Sequence, residues 1–322
     1  MQNKQEYTEG TANSVPAAKR KKHIFRKFVV MVAAVAATVF AMDKGGFWTG
    51  LVAADTGMEY SSEEVNARLV SNLLNRSNKN LNLLPIFAHR GFQEHALENT
   101  FAAYDAALAA YCPQIELDVR LSTDNVFYVV HDDTLKSVAG LDKKVEEMSS
   151  EELDQVILKN GEKLHRLSEV FDRYRNQVIY LVEFKDNFTD PAPFIDLLSE
   201  YPQYAFNVYI QSFNLDPLIA INEYFPNMFK QLLLSSASQI DSAIELDYID
   251  SLALEQSQIT KERVDKIHES GKEVWGWTIT STDAAKKLFA MGVDVVVSDS
   301  SAAVQTAKDE KAAREALKEQ AD

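Results

Sequence analysis

The chain has 322 residues, 46% of them hydrophobic, a single cysteine and a formal net charge of −15. That is enough apolar material for one large α/β barrel or two ordinary domains, while Cys112 alone excludes an intrachain disulfide framework and a cysteine-based zinc site. Seven basic residues against Glu6 and Glu9 give residues 1–28 a charge of +5, so the remainder carries −20; such an acidic body argues against nucleic acid as a partner.

Residues 1–27 read as a disordered, basic cytoplasmic segment ending in KRKKHIFRK. Phe28 to Met42 follows as an uninterrupted apolar run, and a basic flank before such a run marks a signal-peptide core or a membrane anchor. Fifteen residues make about 22 Å of helix, short of the roughly 30 Å hydrocarbon core, so cleaved signal and retained anchor both stay open. Either way the body is expected outside the cytoplasm, secreted or membrane-associated through this segment. Residues 43–83 read as linker and stem, with Ser61 to Arg76 an amphipathic helix capped by Ser61 or Ser62.

From Leu84 the text alternates. Apolar, β-branched runs at 84–89, 114–119, 126–131, 178–184, 206–212, 229–234, 249–254, 273–279 and 294–298 alternate with helical stretches, the pattern of parallel strands joined by crossover helices. Asn99 is expected to cap the helix from Thr100, Ser281 the one before Asp283, and Gly271 to close the helix ending at Ser270. Nine runs are one too many for an eight-stranded barrel. The link from Val119 to Val126 is too short for a parallel crossover, and Thr123-Asp124-Asn125 is a turn, so 114–131 folds back as a hairpin. Residues 84–300 then form a TIM-type (β/α)8 barrel, with a doubly wound sheet as the alternative. A small insertion follows the second and third strands at 133–167, with a capped turn at Ser149-Ser150-Glu151-Glu152. Residues 301–322, rich in Ala, Lys and Glu, read as a solvated terminal helix.

In such barrels the working groups stand at the C-terminal ends of strands. His89 and His131 end two runs, and Asp299 and Trp277 stand at the ends of the last ones. Glu116 and Asp118 lie two apart, as do Glu183 and Lys185, so each pair shares a face at roughly 6.5–7 Å spacing. Taken singly these are ordinary structural residues. Three carboxylates and an ammonium near one axis are costly unless a cation and an anion join them. Two acid/base groups beside such carboxylates compose a metal-assisted hydrolase.

The residues His89-Arg90-Gly91, Glu98-Asn99-Thr100, Glu116-Leu117-Asp118-Val119, His131-Asp132, Leu167-Ser168-Glu169-Val170, Glu183-Phe184-Lys185, Gln211-Ser212-Phe213, Trp277-Thr278 and Gly292-Val293-Asp294 resemble, in order and spacing, the glycerophosphodiester phosphodiesterase family. The resemblance implies a divalent cation, Mg²⁺ or Ca²⁺, on Glu116, Asp118 and Glu183. It implies His89 and His131 as the general acid/base pair, Arg90 and Lys185 on the phosphate, Trp277 over the glycerol, and Glu98 and Asn99 supporting the site from behind. The implied reaction is hydrolysis of a small glycerophosphodiester to glycerol 3-phosphate and an alcohol, the attacking oxygen being water or the substrate's own 2-hydroxyl. Departures are Leu97 for the usual Pro, Thr280 for a frequent Asn, and Ser298-Asp299-Ser300-Ser301 for Thr-Asp-x-Pro. Two alternatives share the histidines and carboxylates: phospholipase D-like cleavage of a lysolipid, and a catalytically silent surface-binding barrel.

Overall fold

The computed structural model describes residues 83–201 and 207–321. The expected cytoplasmic segment, apolar run and stem helix therefore lie outside the described residues. None of the described helices is long and apolar enough to cross a membrane.

Eight parallel strands close on themselves: β1 (Ile86–Ala88), β2 (Gln114–Leu121), β4 (Ile179–Phe184), β5 (Val208–Ser212), β6 (Lys230–Leu234), β7 (Ser251–Glu255), β8 (Glu273–Ile279) and β9 (Val295–Ser298), with β9 returning to β1. The ninth strand, β3 (Phe127–Val129), is antiparallel to β2, pairing Val119 with Val129 and Leu121 with Phe127. β1 reaches only Ile115 on its flank of β2, so the longer β2 offers its free edge to β3. The hairpin and the barrel are both as the sequence predicts, and the doubly wound alternative is excluded by closure.

Helices α1 (Phe101–Ala109), α4 (Leu167–Tyr174), α5 (Ala192–Glu200), α6 (Leu215–Asn222), α8 (Lys261–Glu269) and α9 (Thr282–Ala290) make the crossovers, with α10 (Ala303–Ala321) last. The β6–β7 link holds only the four-residue α7 (Ile240–Ala243) after a 3₁₀ turn. The insertion carries two single turns, α2 (Lys136–Ala139) and α3 (Ser150–Leu153), the latter opened by the reciprocal Ser149–Glu152 capping box. It buries its own small core of Leu135, Val138, Val145, Leu153, Val156 and Leu164 against Tyr128 of β3.

Two local expectations are corrected. Thr100, not Asn99, caps α1, its Oγ1 accepting from Ala103 N; Asn99 lies outside the helix at φ 57, its side chain engaged with Asp118 instead. The terminal helix is not simply solvated. Ala303, Val304 and Ala307 are buried, and the Arg314 guanidinium donates to the carbonyls of Val293 and Asp294. Ser281 and Gly271 do act as predicted, the hydroxyl accepting from Ala284 N and the glycine taking φ 79.

Strand alternation sorts the barrel's residues. Phe87, Leu181, Tyr209, Leu233, Ala253, Trp275 and Val297 fill the interior as one cluster, and the same face of β2 carries Gln114, Glu116 and Asp118. Beyond this apolar cluster the same faces of β4 and β5 carry Glu183 and Gln211 at the C-terminal ends of the strands, which fixes where the chemistry sits.

Candidate active site

Register brings the acidic groups together. Asp118 of β2 pairs with Glu183 of β4, which pairs with Gln211 of β5. With Glu116 two residues back on β2, each of the three carboxylates offers an oxygen within 4.8 Å of the others, and all three are buried. Gln211 Nε2 donates to Glu116 Oε1 at 3.1 Å. Lys185, two residues past Glu183, sets its ammonium 2.6 Å from Glu183 Oε1 and 3.6 Å from Asp118 Oδ1.

The loop after β1 supplies the second cation. Arg90 takes φ 52, which turns its N–H onto Glu116 Oε2 at 3.0 Å while its guanidinium pairs with Glu98 at 2.7 Å and Asp118 at 3.2 Å. Asn99 Nδ2 donates to Asp118 Oδ2 at 2.9 Å, and Tyr104 Oη donates to Asn99 Oδ1. Glu98 and Asn99 thus back the two residues that the sequence assigns to phosphate and metal.

The histidines stand on either side. His89 Nδ1 lies 2.6 Å from Asp299 Oδ1, and Gln93 donates to the same carboxylate oxygen. His131 is returned to the rim by the hairpin, where Val130 N donates to Asp118 O. Its Nδ1 lies 2.9 Å from Asp132 Oδ1, and Ser137 of the insertion donates to Asp132 Oδ2. Arg120 pins the backbone carbonyl of His131 at 2.9 Å while pairing with Asp186.

His89, Arg90, Glu116, His131, Glu183, Lys185 and Trp277 all line one cavity of about 70 Å³, joined by Gln211, Phe213 and Thr278. Trp277 and Phe213 meet edge to face, ring centroids 5.7 Å apart. The indole N–H of Trp277 is buried without a protein acceptor. Asp299, Gln93 and Gln211 are absent from the sequence-assigned set. Gln211 was signalled by a strand end and by the Gln211-Ser212-Phe213 motif, and Asp299 by a strand end and by Ser298-Asp299-Ser300-Ser301 standing for Thr-Asp-x-Pro; Gln93 meets Asp299 across 206 residues and gave none.

Electrostatics follow from burial and crowding. Burial, with Asp118 and then Glu183 beside it, pushes Glu116 well above the usual carboxylate range. Burial, and Asp118 after it, raises Glu183 to about 7. Burial also works against a charged Asp118, but Arg90 and then Lys185 hold it below its ordinary value. Lys185 is raised, because Glu183 and Asp118 outweigh its own burial. Burial lowers His131, and Lys185 and Arg90 lower it further against the pull of Asp118.

Fully ionised, Glu98, Glu116, Asp118 and Glu183 against Arg90 and Lys185 leave two negative charges uncompensated. Asp118 Oδ1 is buried with no hydrogen-bond donor. An all-oxygen cluster with an orphaned carboxylate oxygen and a −2 excess fits a hard divalent cation.

Residues 89–303 match the model of the glycerophosphoryl diester phosphodiesterase family. Among curated proteins, the chain is 27% identical over 228 residues to a glycerophosphodiester phosphodiesterase of Caldanaerobacter subterraneus, covering 66% of this chain and 93% of that one. It is 26% identical over 234 residues to one of Bacillus altitudinis, with 66% and 94% covered. A solved Oleispira antarctica phosphodiesterase, in complex with the product sn-glycerol-3-phosphate, superposes with a TM-score of 0.64 at 25% identity, over 70% of this chain and 96% of that one.

Proposed function

Since the chain belongs to the glycerophosphoryl diester phosphodiesterase family, and as such is an enzyme that hydrolyses glycerophosphodiesters, we propose that it does so at the cavity between His89 and His131. The observation that carries this reading is the convergence of two histidines, two cations and the carboxylates of Glu116 and Glu183 on one 70 Å³ space, with Asp118 clustered beside them. Family membership implies a divalent metal, and Glu116, Asp118 and Glu183 are the residues that would hold it, Mg²⁺ and Ca²⁺ both suiting the oxygen donors. When bound, such an ion offsets the charge of the phosphodiester and of its transition state.

The chain's own residues divide the remaining work. Arg90 and Lys185, already fixed by Glu98 and Glu183, bring positive charge to the phosphoryl oxygens without having to reorganise. His131, lowered by burial, stands neutral near pH 7 and takes the proton from the attacking oxygen. His89, oriented through Nδ1 by Asp299, gives a proton to the leaving alkoxide from its other ring nitrogen. The free indole N–H of Trp277 is placed to meet a glycerol oxygen. The carboxylates and histidines are all present, which speaks against a silent binding barrel.

Release of glycerol 3-phosphate from glycerophosphocholine tests the reading. Activity should vanish with chelator, return with Mg²⁺ or Ca²⁺, and fall at least a hundredfold in His89→Ala and Glu116→Ala. Full activity in chelator removes the metal assignment. The basic segment at 19–27 before the apolar run at 28–42 supports a body outside the cytoplasm. Digestion of the barrel by protease added to intact cells checks that orientation.

A further inference from the structure

One cation at the mouth of the barrel takes no part in the chemistry set out above. On β2 the alternation that turns Glu116 and Asp118 into the barrel brings Arg120 to the same side, two residues nearer the rim. The parallel ladder to β4 ends there: its last registered pair is Val119 with Phe184, and Lys185 N donates to Val119 O. Asp186 continues that ladder with its side chain, Oδ2 accepting from Leu121 N at 2.7 Å. Its Oδ1 accepts from the Arg120 guanidinium at 2.9 Å, and Arg120 Nε donates to the carbonyl of His131, also at 2.9 Å.

The bridge has a functional residue at each end. Asp186 follows Lys185, whose ammonium faces Glu183 and Asp118. His131 lies two residues past the end of β3. Its ring is held through Asp132 and Ser137, but both belong to the same excursion from the barrel and travel with it. Val130 N on Asp118 O anchors the residue before; Arg120 anchors His131 itself. The side chains of Arg120 and Asp186 are only 16% and 24% exposed, so the pair holds its geometry better than a surface pair does. A guanidinium fixes both bonds in one plane, which the freely rotating ammonium of a lysine does not.

We infer that Arg120, with Asp186, is a positioning residue that sets the distance between the proton-accepting His131 and the phosphate-binding Lys185. The inference rests on the diesterase reading above and deepens it. Arg120 does not line the cavity, so its effect passes through the two residues it spaces. The attacking oxygen must lose its proton to His131 while the phosphoryl group is held against Lys185, and both conditions depend on one separation. Misplacing a reacting group by about 1 Å costs on the order of a hundredfold in rate.

The test uses the full-length chain with Mg²⁺ or Ca²⁺, the variants Arg120→Ala, Arg120→Lys, Asp186→Ala and the Arg120→Ala/Asp186→Ala double variant, and two substrates. One is glycerophosphocholine; the other is glycerophospho-p-nitrophenol, whose leaving group departs without a proton. Expected in Arg120→Ala is a loss in kcat of about ten- to a hundredfold on both substrates, with KM within twofold. His89→Ala, by contrast, should recover much of its loss on the nitrophenyl ester. Arg120→Lys should fall nearly as far as Arg120→Ala, and the double variant no further than either single one. Millimolar guanidinium should restore part of the rate in Arg120→Ala. A purely structural role moves the melting temperature and none of these. Unchanged kcat per folded molecule overturns the inference. So does a change in KM alone, which would place Arg120 with phosphate binding, or full recovery on the nitrophenyl ester, which would place it with the leaving group. Should Arg120→Ala fail to fold, Arg120→Lys carries the same comparison. Wild-type turnover of neither substrate removes the diesterase reading itself; wild-type turnover with unchanged variants removes only this inference.

Discussion

His89 and His131 both have a carboxylate on Nδ1, but in unlike settings. Asp299 is mostly buried, receives Gln93 as well, and is held below its ordinary pKa by the His89 and Gln93 hydrogen bonds against its own burial. Asp132 is more exposed and takes its second hydrogen bond from Ser137 of the insertion. Asp299 therefore acts as the positioning residue for His89, fixing which ring nitrogen faces the substrate. Asp299→Asn should lower kcat by about ten- to a hundredfold with KM within twofold. A purely structural role would instead lower the melting temperature and leave kcat per folded molecule intact. The His131 shift gives a second expectation. Its pKa is lowered, so the proton-accepting form persists below the ordinary histidine value, and activity should fall only as pH drops through that lowered pKa. An acid limb of kcat/KM above the ordinary histidine value of 6.5 would take the base role away from His131. Glu116, Asp118, Glu183 and Lys185 were legible in sequence because spacing by two on a strand is a local rule that folding preserves. Asp299 was visible as a polar strand end and as the aspartate of Ser298-Asp299-Ser300-Ser301, with nothing to say which side chain it meets. Its partner is 210 residues away, and no local rule joins β9 to β1 before the barrel closes.

The segment between β1 and α1 is where local structure and site geometry meet most tightly. Arg90 and Asn99 take φ of 52 and 57, and Gly91 takes 73. A non-glycine residue in this region carries strain, held here by Arg90 N on Glu116 and Asn99 N on Arg90 O. Gly91 has no room for a side chain: a Cβ would fall 2.5 Å from the carbonyl carbon of Ala103. Gly91→Ala should cost about 3 kcal/mol or more, because both the positive φ and the clash with α1 act at once. Denaturant unfolding of the metal-free protein measures it, and a loss under 1 kcal/mol would mean that α1 gives way freely. At the other end of this unit, Glu162 of the insertion accepts from Phe101 N and Ala102 N, placing a carboxylate on the N-terminus of α1. Element types and order were readable because periodicity and helix stops are local. The hairpin was readable for a topological reason, since the six residues between Val119 and Val126 cannot cross over a sheet. The Asn99 cap was misread because capping propensity says where a side-chain oxygen can serve a helix, not that Asp118 will claim it first. The packed start of α10 was misread for a related reason. Its small alanines look solvated by composition, yet they are what lets the helix lie close against the barrel.

Over the whole molecule the body is strongly acidic, and the site concentrates that charge where water is scarce. Without a bound ion, the two uncompensated charges of the carboxylate cluster are relieved by protons: Glu116 is pushed well up and Glu183 to about 7. Protons and a divalent cation therefore compete for the same oxygens. Glu183 has a folded-state pKa above the ordinary glutamate value of 4.5. Its contribution to stability is thus complete below about 4.5 and disappears as pH rises through about 7. Glu116, raised in the same direction, adds to this. Binding of a cation runs the other way, since deprotonated carboxylates bind it best and the ion then replaces the lost protons. An ion at a hundred times its dissociation constant contributes about 2.7 kcal/mol to the folded state, or roughly 5–10 °C of melting temperature for a barrel of this size. The shift on adding Mg²⁺ or Ca²⁺ to chelator-treated protein should be of that order at pH 8 and nearly absent at pH 5. Titration calorimetry at pH 6 in buffers of different ionisation enthalpy should register proton release with each ion bound. A melting shift that is equal at the two pH values, with no proton release, would place the ion away from Glu116 and Glu183 and leave their raised pKa values without a function.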